Sequence, residues 1–118
     1  MTATVDAHGW VPVCDADWIR PGRGVCALVE GRAVAVFLVG DELFAIDDVD
    51  PCSGASVLSR GLVGTTEIDG SAVVYVASPL RKQRFDLRTG RCLDVAEVSV
   101  DVHPVTTVDG TIVVDPGV

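Results

Sequence analysis

The stretch VCALVEGRAVAVFLVGDELFAID, residues 25–47, contains three apolar runs separated by glycine-containing turns. The first run meets the second across Gly31, and the second meets ELFAID across Gly40 and Asp41. Short runs rich in valine that end at such turns are typical of consecutive antiparallel β-strands. The stretch therefore predicts three β-strands joined by tight turns.

The same pattern of short apolar runs and glycine-containing turns continues along the rest of the chain. Further turns are expected at Asp69-Gly70, Thr89-Gly90 and Asp109-Gly110. The last of these joins VTTV to TIVV and has the Asp-Gly pair that favours a two-residue hairpin. Only DADWIRPG (15–22) could form a helical turn, with Asp15 as its N-cap. We therefore predict an all-β fold, a small antiparallel sandwich or barrel, as one domain over 1–118 with its core at about 10–114.

Composition narrows the classes of partner. The 118 residues have a formal net charge of −8 and are 48% hydrophobic. Nucleic acid is disfavoured, because binding to the phosphate backbone needs a cationic surface. An anionic membrane surface is disfavoured for the same reason, and no apolar run reaches the roughly 18 residues of a membrane-spanning helix. MTATVDAHGW lacks the pattern of a signal peptide, so a cytoplasmic protein is expected.

Two longer segments interrupt this succession of short strands and tight turns: 47–61 (DDVDPCSGASVLSRG) and 78–85 (SPLRKQRF). Each follows a run of clear β character, ELFAI and VVYVA respectively. Loops held on a rigid scaffold often carry binding chemistry. The alternative is that both are simply long connections.

Ordinary catalytic and metal sites find little support. His8 lies near the N-terminus, and His103 in VDVHPV is expected to be structural or at the surface. Asp47, Asp48 and Asp50 read as turn formers at a strand exit, although a hydrolase or Ca²⁺ site could use such a cluster. No catalytic residue and no metal site are predicted.

The four cysteines contain no C-x-x-C pair. Cys14 and Cys26 fall in strand-like runs and are expected to be small buried hydrophobes. Cys52 lies in a loop, and Cys92 follows a turn. A Zn²⁺ site would need four convergent ligands, whereas Cys52, Cys92 and His103 supply three.

The remaining unusual feature is a basic segment in an otherwise acidic chain. Five of the nine basic residues fall between positions 81 and 91, against the single acid Asp86. They are Arg81, Lys82, Arg84, Arg88 and Arg91. Such charge asymmetry can steer and orient docking on an acidic protein surface, or it can be a solvated loop without a partner.

The two loops resemble the cluster loops of a Rieske [2Fe–2S] domain, whose frames are C-x-H-x-G-A-x-L and C-P-x-H-G-x-x-F-D-x-x-T-G-x-C. Gly54 and Ala55 match the first frame, and Leu58 does so with one extra residue. The second frame is matched by Pro79, Phe85, Asp86, Thr89, Gly90 and Cys92. The resemblance implies a Rieske-like fold with two loops of an empty cluster site.

The four ligand positions of that frame hold other residues. Asp50 and Ser78 stand at the cysteine positions, and Cys52 and Arg81 at the histidine positions. A Rieske centre needs two thiolates and two imidazoles, so no cofactor is expected in this chain. The resemblance suggests instead that Asp50 and Arg81 face each other as a charge-assisted pair; alternatively, Arg81 stays free.

Within this superfamily the chain is similar to the small subunits of NAD(P)H-dependent assimilatory nitrite reductase, from Trp10 to Val114. DPCSGASVLSRG and SPLRKQRFDLRTGRCLD are the motifs that carry this likeness. It implies a large-subunit partner that holds FAD, a [4Fe–4S] cluster and sirohaem and reduces nitrite to ammonium. The basic segment would then be a docking face. A free-standing electron-transfer protein, for instance through a Cys52–Cys92 thiol pair, and a small-molecule binder remain alternatives.

Overall fold

A computed structural model describes residues 9–115, which contain ten β-strands and two short 3-10 helices. The strands are β1 (Val11–Asp15), β2 (Gly24–Val29), β3 (Arg32–Val39), β4 (Glu42–Asp47), β5 (Leu62–Ile68), β6 (Ser71–Ala77), β7 (Arg84–Asp86), β8 (Val102–His103), β9 (Val105–Val108) and β10 (Thr111–Val114). The 3-10 helices are Ala16–Trp18 and Leu58–Arg60. All seven strand pairs are antiparallel, which confirms the predicted fold class. No helix in the described range has the length and hydrophobicity to cross a bilayer.

The strands form three sheets, ordered β1-β10-β9, β2-β3-β4-β8 and β5-β6-β7. The predicted hairpins β2–β3, β3–β4 and β9–β10 are present, and the turn predicted at Asp69-Gly70 joins β5 to β6. At the last turn Asp109 has φ 52° and Gly110 has φ 81°. Two consecutive positive φ angles are what a type I′ hairpin turn requires, and this explains the Asp-Gly pair.

The four-stranded sheet lies between two apolar clusters. On β3, Ala35 and Phe37 pack into a cluster shared with β6 and β7. Val34 and Val36, which point to the opposite face, pack into a cluster shared with β10. Successive side chains of a strand alternate between faces, so a strand covered on both sides needs apolar residues at every position. This is why AVAVFLV reads as an uninterrupted apolar run.

Two connections leave this scaffold from the ends of β4 and β6. We call them loop 1 (residues 48–61) and loop 2 (residues 78–83). Both are shorter than predicted, because Asp47 still pairs with Val34 on β3, and Arg84 already pairs with Ala77 on β6. The helical turn predicted at 15–22 is present as the first 3-10 helix, but the Asp15 side chain makes no capping hydrogen bond.

Candidate functional site

Loop 1 is organised at its start by the buried side chain of Asp48. Its carboxylate accepts hydrogen bonds from the Ser56 hydroxyl at 2.5 Å and from the Ser59 backbone N–H at 2.6 Å. Its main-chain carbonyl accepts the N–H groups of Val57 and Leu58. Burial raises the pKa of Asp48, but the hydrogen bonds from Ser56 and Ser59 outweigh it and hold the pKa below its ordinary value. Asp48 is thus the carboxylate that shapes loop 1.

Asp50 joins loop 1 to loop 2. Its side chain is fully buried, and Oδ2 accepts a hydrogen bond of 2.6 Å from the Ser78 hydroxyl. Its other oxygen, Oδ1, accepts the Cys52 backbone N–H at 2.8 Å. Within loop 1, the Asp50 carbonyl also accepts the N–H of Gly54 at 2.7 Å. The two positions that the frame assigns to cysteines therefore contact each other directly.

Ser78 uses its backbone and its side chain to fix loop 2. Its N–H donates to the Gln83 carbonyl, and its carbonyl accepts the Lys82 N–H, each at 2.8 Å. Its hydroxyl oxygen accepts the Leu80 N–H at 3.3 Å while donating to Asp50. Ser78 is 1% exposed, so these bonds lie away from solvent. One buried serine holds loop 2 closed and attaches it to loop 1.

The suggested Asp50–Arg81 pair is wrong. Among the described residues the ion pairs do not include Arg81, whose side chain is exposed. The physical reason is that the Asp50 carboxylate is fully buried and already accepts the Ser78 hydroxyl and the Cys52 N–H, whereas Arg81 lies at the surface. The alternative, in which Arg81 stays free, agrees with the geometry.

The four frame positions do not fit a Rieske centre. Such a centre takes two thiolates on one iron and two neutral imidazoles on the other. Of the four residues only Cys52 offers a soft ligand, and Arg81 carries a cation without a lone pair to donate. Asp50 and Ser78 are already bonded to each other across the site. No group of three or more His, Cys, Asp or Glu side chains in residues 9–115 is arranged to hold a metal ion.

The cysteines are all free thiols. The prediction that Cys26 is buried is wrong: it is exposed, because β2 is an edge strand of its sheet and Cys26 faces loop 1 there. Its Sγ donates to Asp48 at 3.4 Å, and partial burial together with the Asp48 charge raises the pKa of the thiol. Cys14 is half-buried, and burial raises its pKa as well. These two thiols stay protonated at neutral pH and are weak nucleophiles.

The buried side chain of His103 is hydrogen-bonded to a carboxylate that belongs to an ion-pair network. Its Nε2–H donates to Asp47 Oδ1 at 2.8 Å, across the β4–β8 pairing. Asp47 also pairs with Arg32 Nε at 3.2 Å, and Arg32 Nη2 reaches Asp101 at 2.7 Å. His103 is therefore bonded to Asp47 of the neighbouring strand, which supports its interpretation as structural. His8 lies outside the described residues.

The basic segment divides into paired and unpaired cations. Arg84 donates to Asp94 through both Nε (3.1 Å) and Nη2 (2.8 Å), and its N–H donates to the same carboxylate. Arg88 forms a similar two-bond pair with Glu42, at 2.6 and 2.8 Å. Arg84 lowers the pKa of Asp94, and Arg88 lowers that of Glu42. Both arginines therefore have carboxylate partners within the fold, and their role in docking stays a prediction.

Asp94 and Glu42 were not predicted as partners of these arginines, because both lie outside the basic segment at positions 81–91. The Arg84–Asp94 contact could have been predicted from the turn at Thr89-Gly90, because the chain reverses there and brings Asp94 back beside Arg84. Glu42 is 46 residues from Arg88 in sequence, and no sequence pattern announces that contact. The remaining docking candidates, Arg81, Lys82 and Arg91, are exposed.

The fold and the two loops define a class of protein. The family model for the Rieske-like [2Fe–2S] domain matches residues 9–115. The chain belongs to this family, and within it to the small subunits of nitrite reductase. Two relatives that are themselves small subunits carry the second part of that statement.

The NADH nitrite reductase small subunit of Salmonella typhimurium is 43% identical over 105 residues, covering 87% of this chain and 94% of its own length. A crystal structure of an NADH-dependent nitrite reductase small subunit from Mycobacterium tuberculosis superposes with a TM-score of 0.81 at 44% identity, covering 89% of this chain and 92% of that one. The nitrite reductase [NAD(P)H] large subunit of Klebsiella oxytoca is 41% identical over 103 residues, which are 87% of this chain and 10% of that protein.

Proposed function

We propose that this chain is a non-catalytic subunit of NAD(P)H-dependent nitrite reductase, which docks on the large subunit and supports the reduction of nitrite to ammonium in nitrate assimilation. The observation that carries the proposal is the Klebsiella oxytoca large subunit, which includes a segment 41% identical to this chain within a much longer polypeptide. A domain that is covalently part of the catalytic chain in one protein is expected to act beside that chain where it is separate.

The proposal assigns no cofactor and no catalytic residue to this chain. It is supported by the donor chemistry of the loops, where one thiol, one hydroxyl, one carboxylate and one guanidinium stand at the ligand positions. FAD, the [4Fe–4S] cluster and sirohaem are assigned to the large subunit, as the family resemblance implies. The complex is expected to work in the cytoplasm.

The decisive experiment measures NADH-dependent nitrite reduction by the purified large subunit at matched cofactor loading, with and without this chain. We expect activity, or its half-life at assay temperature, to rise when the chain is added. The visible spectrum of the purified chain is recorded in parallel and should lack the absorption of a [2Fe–2S] centre.

Two outcomes contradict the proposal. If neither activity nor half-life of the large subunit responds to saturating chain, the accessory role is wrong. If the chain itself carries an iron–sulfur spectrum with stoichiometric iron, it is an electron carrier, and the alternative of a free-standing redox protein applies.

A further inference from the structure

An exposed leucine of loop 2, Leu80, lies beside the unpaired cations of that loop. We call residues 79–82, Pro-Leu-Arg-Lys, the loop-2 tip. All four are exposed, and Leu80 exposes 56% of its surface. A single exposed leucine is unremarkable on a protein surface, but one bordered by unpaired cations has the composition of an interface anchor with a polar rim.

The tip is held in one conformation from beneath. The Ser78 backbone binds both Lys82 and Gln83, its hydroxyl oxygen accepts the Leu80 N–H, and the same hydroxyl donates to the buried Asp50. The tip is therefore attached to the core through a buried serine. A surface that is ordered before binding loses less conformational entropy when a partner covers it.

The charges of the tip are not neutralised within the described part of the chain. Arg81 and Lys82 do not occur among its ion pairs, whereas Arg84 and Arg88 each have a bidentate carboxylate partner. The whole chain has a formal net charge of −8. A cationic tip on an acidic body favours one orientation of approach to an acidic partner.

Lys82 has a left-handed backbone, with φ 64°. Four other non-glycine residues of the described chain share this region, so the conformation is not itself evidence of docking; they are Glu30, Asp69, Glu97 and Asp109. Glycine adopts this region at lower energy than other residues. Lys82 can therefore be replaced by glycine without backbone strain, which allows the ammonium group to be removed in a test of binding.

We propose that the loop-2 tip is the surface that docks on the large subunit, with Leu80 inserted in an apolar recess and with Arg81 and Lys82 against carboxylates at its rim. This rests on the proposed function and deepens it. Leu80 provides buried apolar area, and the two cations provide orientation and a salt-dependent association rate. Arg84 and Arg88 lie outside the contact.

The test is the dissociation constant of the complex between this chain and the holo large subunit, measured by calorimetry at low and at high salt. Leu80→Ala should raise Kd on the order of tenfold or more, as truncation of an interface anchor does. Arg81→Gln with Lys82→Gln should weaken binding at low salt and reduce its dependence on salt. Leu28→Ala, which truncates a leucine on β2 that is 73% exposed, and Arg20→Gln are the matched controls and should bind like the wild type.

Lys82→Gly separates docking from folding. It relieves the left-handed strain, so the melting temperature should stay or rise, while loss of the ammonium group weakens binding. A tip that served only the fold would not show this opposition. If the Leu80 and Arg81/Lys82 variants bind with wild-type Kd, or if Leu28→Ala weakens binding instead, the docking surface lies elsewhere. If the wild-type chain does not bind at all, it is the proposed function that fails.

Discussion

The Ser78 hydroxyl offers the most direct test of how the two loops are joined. Ser78→Ala deletes the 2.6 Å hydrogen bond to Asp50 Oδ2 and the longer 3.3 Å bond from the Leu80 N–H, while the side chain loses only one oxygen atom. Asp50 is 0% exposed, so solvent has no access to replace the missing donor. The Cys52 N–H, on the other carboxylate oxygen, remains.

The expected loss of stability follows from the burial of the Asp50 carboxylate. Leaving a buried acceptor without its donor costs about 1–3 kcal/mol. For a domain of this size 1 kcal/mol corresponds to about 4 °C in melting temperature, so Ser78→Ala should lower Tm by roughly 4–12 °C. Urea unfolding followed by circular dichroism should give the same loss of free energy with an unchanged m-value.

A double-mutant cycle then isolates the bond. Asp50→Ala removes the acceptor, and the double variant with Ser78→Ala should be more stable than the sum of the single losses predicts, by about 1 kcal/mol. Ser53→Ala is the control, since Ser53 is an exposed serine of loop 1, the loop that contains Asp50, and its effect should stay within about 0.5 kcal/mol. A Ser78→Ala variant as stable as the Ser53→Ala control would refute the idea that this bond joins the loops.

Three further predictions concern the glycine turn, acid stability and the ligand positions. Gly90→Ala should lower the free energy of unfolding by at least about 2 kcal/mol, because a Cβ there would lie 2.0 Å from the Val100 carbonyl oxygen. Gly70→Ala, with the same positive φ but open space around it, should cost only about 1 kcal/mol in the same urea titration, and equal losses would contradict the packing argument. The lowered pKa of Asp48 means that its stabilisation is complete above its ordinary pKa of 3.8 and is lost as pH falls through the lower folded value, so Asp48→Asn should flatten the acid limb of a stability–pH curve. An unchanged acid limb would show that Asp48 does not contribute to it. A fourfold variant restores all the ligands of the frame: Asp50→Cys, Cys52→His, Ser78→Cys and Arg81→His. After reconstitution with iron and sulfide, this variant should show Rieske-type visible absorption that the wild type lacks. Cluster uptake by the wild type, or no uptake by the variant, would contradict the assigned ligand positions.

Backbone features were predictable because they follow from local chemistry. The Asp109-Gly110 pair predicts a hairpin whose residues have φ 52° and 81°, and the uninterrupted apolar run of β3 reflects a strand covered on both faces. The positions of the two loops are correct to within two residues, since turn residues and loss of alternation mark strand ends.

Side-chain partners were not predictable by the same means. The sequence places Arg81 and Asp50 at facing positions of a frame, but it does not show that a serine hydroxyl would reach the carboxylate first. Arg88 and Glu42 are far apart in sequence, and only the packed sheets bring them together. Cys26 alternates correctly on β2, but β2 is an edge strand, so the Cys26 side chain stays exposed at the edge of the sheet, where it contacts Asp48 of loop 1.

The residues that match the Rieske frame outside the four ligand positions stabilise the fold without a metal. Phe85 of β7 and Leu58 of loop 1 are both fully buried in the same apolar cluster. Asp86 accepts the N–H groups of the turn that follows it, including that of Arg88 at 2.8 Å, and Gly90 packs against the Val100 backbone. Changes at these positions would disrupt the core, whereas the four ligand positions need only keep the loops together. A buried Asp50–Ser78 hydrogen bond keeps the two loops together. A match at the other residues of the frame is therefore evidence for the fold, whereas only the residues at the four ligand positions are evidence for the cofactor.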